Sequence, residues 1–267
     1  MGYTPAPASS ACIHVCLKYP AVVIILGLAV AGIAIPGFNP PANNCTKAMI
    51  TFTFDEGHMS ALDQAYPILE KYGYTGTAFV VTDWIGTSGH MSMTDLWILQ
   101  REGWEIGSQG KTYTDLTTLD NTSLIEEISE SKTYLESNYL HVWGFASPYG
   151  AYDKTVIDLI STQYLYHRTS GPDGLNDLPL KNESDAYELR VVNVTSKTTV
   201  QEVKDWMTKA KSEGKWLILV FHDIDGQDAN SWSSDNLEEI AKFARDNEFE
   251  GMWTERPITS TMALYDK

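Results

Sequence analysis

Cysteine, positive charge and glycine-rich phosphate loops are what this sequence is short of. Its three cysteines, Cys12, Cys16 and Cys45, all fall within the first 45 of 267 residues. The remainder can hold neither a disulfide framework nor a cysteine nucleophile. Lys and Arg total 19 against 35 Asp and Glu, giving a net charge of −16 and a pI near 4.6 with no basic cluster. Nucleic acid is excluded as a partner, because neutralising phosphates needs a basic surface. The first strand candidate is followed by Asp55-Glu56-Gly57-His58, and two adjacent carboxylates repel a pyrophosphate, which excludes a nucleotide loop there. There is no internal repeat or low-complexity tract. What is present is 43% hydrophobic and 11% aromatic residues, enough for a real core. The 220 or so residues after the N-terminal segment correspond to one domain of about barrel size.

Residues 19–46 carry no charge, and residues 21–38 are apolar throughout apart from glycines. Eighteen helical residues at about 1.5 Å each span about 27 Å, the thickness of a bilayer core. The expected organisation is a cytoplasmic segment 1–19, a transmembrane anchor 20–38, a linker 39–46 and a folded domain 47–267. A cleaved signal sequence is the alternative to the anchor. Lys18 precedes the span, which places the N-terminus inside and the domain outside the cell membrane. Glycosylation sequons at Asn44, Asn121, Asn182 and Asn193 agree with that side.

From Lys47 onward, β-branched and aromatic runs alternate with stretches of helical period. The runs predict strands over 49–54, 77–81, 104–108, 143–147, 163–167, 189–194, 216–221 and 251–254. Helices are predicted over 61–72, 94–102, 123–138, 154–161, 200–213 and 234–247. Strands separated by crossover helices make an α/β fold with a parallel sheet, and seven or eight of them in this length favour a barrel.

In such a barrel the functional groups gather past the C-terminal ends of the strands. Those positions hold Asp55, Glu56 and His58, then Asp83 and Trp84, residues 109–113, residues 148–150, Arg168, and His222 with Asp223. Carboxylates facing an imidazole suit general acid/base work. Trp84 and Trp232 are candidate stacking faces for a pyranose ring. His90, His141 and His167 read as structural.

Four ordered pieces then carry a resemblance: Thr53-Phe54-Asp55-Glu56-Gly57; Glu105-Ile106-Gly107-Ser108 with Asp115-Leu116-Thr117; Ser147-Pro148-Tyr149-Gly150; and Leu219-Val220-Phe221-His222-Asp223. From about Lys47 to Leu264 the chain resembles the polysaccharide deacetylases, carbohydrate esterase family 4. The resemblance implies a deformed (β/α)7-type barrel that removes acetyl groups from N-acetylated surface glycans with one divalent metal, commonly zinc. It assigns Asp55 as general base, His222 as the acid that protonates the leaving amine, and the backbone N–H of Tyr149 to the oxyanion. The metal positions fall on Glu56, Gln109 and Tyr113. The arginine that pairs with the base in this family is replaced by Ala146, and Arg168 is the candidate to pair with the base or contact substrate instead.

All three metal positions depart from the family's Asp, His and His. Zinc prefers imidazole, thiolate or carboxylate. A carboxamide offers only a neutral oxygen, and a phenol must ionise from a pKa near 10, costing about 4 kcal/mol at pH 7. No firmly bound cofactor is therefore expected. Without the Lewis acid, several kcal/mol of barrier lowering are lost and each 1.4 kcal/mol is about tenfold in rate. His58 is the candidate substitute ligand, in an Asp55/Glu56/His58 or Glu56/His58/His222 cluster. The expected function is a deacetylase-like hydrolase of weak or lost activity; the alternative is a silent glycan-binding surface protein. Asp173 and Asp177 are both candidates to orient His222.

Overall fold

The computed structural model describes residues 48–171, 173–178, 180–246 and Ile258. The expected anchor, linker and last strand (251–254) lie outside these residues. Among the described residues no helix is long and apolar enough to cross a membrane.

Among the described residues seven strands are formed: β1 Met49–Phe54, β2 Gly76–Val80, β3 Glu105–Ser108, β4 Val142–Ala146, β5 Tyr166–Arg168, β6 Val192–Asn193 and β7 Trp216–Phe221. Every ladder is parallel, in the order β5-β4-β3-β2-β1-β7-β6. The sheet curls into a half-barrel. At the β5 edge an isolated parallel bridge joins Arg168 to Leu189, whose carbonyl accepts from the Thr169 N–H at 3.0 Å.

Alternation along β1 and β7 explains the two-sided burial. Phe52, Phe54, Leu219 and Phe221 face the helices, while Met49, Ile218 and Val220 join Phe79, Tyr166 and Trp216 on the concave side. Burying one such side chain is worth about 1.5–3 kcal/mol. Gly144 in β4 is required by close approach, since a Cβ there would lie 2.0 Å from the Tyr166 ring.

The helices are α1 Tyr66–Tyr72, α2 Met93–Arg101, α3 Asn121–Ile125, α4 Ser131–Ser137, α5 Lys154–Ile160, α6 Val200–Glu213 and α7 Ser234–Asp246. Two differ from expectation. A π-helical turn, Ala61–Ala65, precedes α1, and another, Glu126–Glu130, joins α3 to α4. Such widened turns often accompany functional sites. The strand expected over 163–167 begins only at Tyr166, because the Tyr164 hydroxyl donates to the Ile128 carbonyl and its ring packs on Phe145. Of the strand expected over 189–194 only Val192–Asn193 pairs with β7. The Asn193 sequon lies inside that strand with its amide donating to the Ser170 carbonyl, so it is a poor glycan acceptor, whereas Asn121 and Asn182 are exposed.

Candidate functional site

Parallel pairing brings the ends of β1, β2, β3, β5 and β7 to one rim. Asp55 follows β1 and is buried, its N–H donating to the Phe221 carbonyl at 2.9 Å. Arg168 ends β5 and is fully buried; its Nη2 lies 2.6 Å from both Asp55 carboxylate oxygens. Its guanidinium also sits 4.8 Å over the Phe79 ring. This carboxylate cannot be buried unpaired without a cost of several kcal/mol. Arg168 therefore pairs with the acid and is closed off from any ligand.

Gln109, after β3, couples two neighbours. Its amide donates to Asp55 Oδ2 at 3.0 Å, and its oxygen accepts from the Glu56 N–H at 2.7 Å. That contact holds Glu56 in a left-handed conformation, φ 68°, beside Gly57 at φ 74°. A Cβ at Gly57 would lie 3.1 Å from Val80 Cγ1. Tyr113 and Tyr149 are also left-handed, at φ 67° and 56°. Non-glycine residues rarely adopt this region, and such strain concentrates at functional sites.

The Glu56 carboxylate is the hub. Tyr113 donates its hydroxyl to Oε1 at 2.7 Å, His58 Nε2 lies 3.1 Å from Oε2, and His222 Nε2 lies 4.0 Å from Oε1. Burial pushes the Glu56 pKa up, but the bonds from His58 and Tyr113 and the nearby imidazoles outweigh it, and the net shift is downward. Burial likewise opposes charge on His58, yet the bond to Glu56 and the charges of Glu56, Asp223 and Asp228 raise its pKa overall. Tyr113 is pushed well above the usual phenol range, first by burial and then by Glu56.

Rings line one side in an unbroken series. Tyr149 packs on Tyr113 at 4.7 Å, Tyr113 on Trp84 at 5.1 Å, Trp84 on His90 at 5.1 Å, and His90 on His58 at 5.1 Å. Tyr149 is 66% exposed, so the series ends in an open aromatic face. Trp232 is placed differently from expectation: it is buried, packs on Phe221 at 5.6 Å and donates its indole N–H to the Thr198 carbonyl at 2.9 Å. It offers no stacking face, because a strand-following loop folds back and uses it as core.

His222 Nδ1 is buried without a hydrogen-bond partner among the described residues. Neither proposed orienting acid reaches it. Asp177 is taken by Lys181 and Lys215, and Asp173 accepts from the Asn193 N–H.

One residue that shapes the site was not singled out from the sequence. Glu127, in the second π turn, is buried and accepts from the Lys111 N–H at 2.8 Å, the Thr112 N–H at 3.0 Å and the Thr112 hydroxyl at 2.6 Å. It anchors the loop that carries Tyr113. Its spacing with Leu124, Ile128 and Ser131 on one helical face was the available signal. His90, read as structural, stacks between Trp84 and His58 in the ring series. His167 is structural as expected, held between the Ser147 hydroxyl at 2.8 Å and the Tyr187 carbonyl at 2.7 Å.

A curled parallel α/β sheet with acid and imidazole at its C-terminal rim defines the class. Residues 42–165, a little under half of the chain, match the family model for polysaccharide deacetylase, the family the sequence resembles. YxkH of Bacillus subtilis (strain 168), named as a polysaccharide deacetylase, is 25% identical over 44% of this chain and 41% of its own length. A bifunctional xylanase/deacetylase of Pseudobutyrivibrio xylanivorans is 23% identical over 56% of this chain and 24% of its own. The chain thus spans less than half the length of either curated relative. The Xyl-CE4 domain of a multidomain xylanase from the hindgut metagenome of Trinervitermes trinervoides superposes with a TM-score of 0.59, covering 82% of this chain and 91% of that one at 18% identity. At that identity the likeness concerns the fold.

This family is normally metal-dependent, and the donors at the three corresponding positions do not fit zinc. One is a neutral carboxamide already bridging Asp55 and the Glu56 amide; another is a phenol whose proton sits on Glu56. Among the described residues no group of three His, Cys, Asp or Glu is arranged to hold a metal ion. Glu56, His58 and His222 approach one another without forming one.

Proposed function

We propose that the rim is a glycan-binding cleft of a deacetylase-family protein whose hydrolysis of N-acetyl groups is weak or lost. The observation that carries this reading is the saturation of Glu56. Its two carboxylate oxygens are held by the Tyr113 phenol and the His58 imidazole, where the family's chemistry calls for metal donors. Asp55 keeps an arginine partner in Arg168 and gains the Gln109 amide as a second, so the departure from the family's chemistry lies at the metal positions and not at the base. The ring series ending in exposed Tyr149 suits stacking on a sugar face, and the names of the relatives point to acetylated polysaccharide. The apolar run 21–38 supports a single-pass membrane protein with this domain outside, next to cell-surface glycan.

Full-length protein titrated with N-acetylglucosamine oligomers tests the reading. Saturable binding without acetate release is expected, with Tyr149→Ala weakening binding about tenfold, the worth of one base- or sugar-stacking ring of roughly 1.4 kcal/mol. Stoichiometric zinc together with acetate release that Asp55→Asn abolishes would overturn it in favour of an active deacetylase.

A further inference from the structure

We propose that the end of the half-barrel at which the strands begin rests on the lipid bilayer, with Trp97, Tyr139, Trp143 and Leu165 in the headgroup layer. This rests on the single-pass reading above.

The four side chains are among the most exposed large apolar groups described, at 42%, 83%, 49% and 42%. They form one neighbourhood. The Trp97 indole N–H donates to the Asn138 carbonyl at 2.8 Å, Gln100 on the same helix donates to the Tyr139 carbonyl and accepts from the His141 N–H, and the Leu165 N–H donates to the Trp143 carbonyl at 2.8 Å. Tyr139 and Trp143 flank the start of β4, and Leu165 immediately precedes β5. Because every strand runs parallel, this is the end opposite the one that carries Asp55, Gln109 and His222.

The N-terminal segment joins the domain at the same end, since Ala48 directly precedes β1. β4 is the third strand from β1, about 14 Å away at about 4.8 Å per strand. Nine residues, 39–47, reach up to about 31 Å at about 3.4 Å each. An anchor ending at Phe38 therefore brings the patch within reach of the surface it leaves. Trp and Tyr are the residues that favour that layer, where a ring lies in apolar surroundings and its polar atom is satisfied; the Trp97 N–H already is. The cleft is then turned away from the membrane, toward surface glycan.

The experiment uses the full-length chain in phosphatidylcholine vesicles, with and without brominated acyl chains, reading tryptophan emission. Residues 1–47 contain no tryptophan, so any quenching reports the domain. Bromolipid is expected to lower the emission of the wild type, and Trp97→Phe with Trp143→Phe to remove most of that loss while the chain still floats with the vesicles. Flotation without quenching, or quenching unchanged in the double variant, overturns the docking alone. A chain that does not float overturns it together with the anchor.

Discussion

Arg168 stands opposite Ala146 in the β4–β5 ladder and places its Nη2 2.6 Å from both carboxylate oxygens of Asp55. The cation missing from the end of β4 is supplied one strand over, at the paired position. Both partners are buried, so removing one leaves an uncompensated charge. Arg168→Met should cost about 3–5 kcal/mol of folding stability in urea unfolding. The double variant with Asp55→Asn should recover much of that loss, since neither charge then remains.

His167 predicts a pH dependence separate from the cleft. Burial lowers its pKa to about 4, while the Tyr187 carbonyl acts the other way. The unfolded chain, with an ordinary value near 6.5, therefore binds more protons than the folded one between the two pH values. This contribution is fully present above about pH 6.5, falls as the pH drops, and is exhausted near pH 4 after a loss of about 3 kcal/mol. His167→Gln should remove that part of the slope in unfolding curves measured from pH 7 to pH 4.

Glu127 holds the Tyr113 loop through two backbone amides and one hydroxyl. Bonds to a charged acceptor contribute about 1.5–3 kcal/mol each, and relaxation of the loop toward solvent recovers part of the total. Glu127→Ala should destabilise the protein by about 2–4 kcal/mol. Hydrogen exchange should show the Lys111 and Thr112 amides losing protection first. Unchanged protection there would mean that the loop is held by other contacts.

Much of the framework was legible because local signals and tertiary needs agree. Strands 49–54 and 216–221 and helix 200–213 fall where expected. The helix is bounded by a Thr199–Glu202 capping box and by Gly214 in the left-handed conformation, both readable from residue type. Aromatic runs misled where rings serve packing: Tyr164 and Trp232 both lie outside the strands and belong to the core. The left-handed backbones of Glu56, Tyr113 and Tyr149 had no signal, since nothing in these residue types asks for positive φ. Nor did the sequence show that Gln109 bridges Asp55 and Glu56, because a carboxamide's partners are set by strands 53 and 54 residues away in the chain.

The hydrogen-bonded state of Glu56 makes metal binding the sharpest measurable property of this cleft. To serve as a ligand, Tyr113 must give up a proton that burial and Glu56 both hold in place, which costs more than the 4 kcal/mol or so of an ordinary phenol at pH 7. The wild type should therefore bring down well under one zinc per chain when its metal content is measured after purification in zinc-supplemented buffer. Glu56→Asp, Gln109→His and Tyr113→His together supply one carboxylate and two imidazoles, a set that zinc accepts. That variant should retain close to one zinc, with Gln109→His alone retaining less, because a single imidazole leaves the phenol in place. A triple variant that stays metal-free would show that the Asp55–Arg168 pair or the rim geometry, more than the Glu56–Tyr113 bond, keeps the ion out.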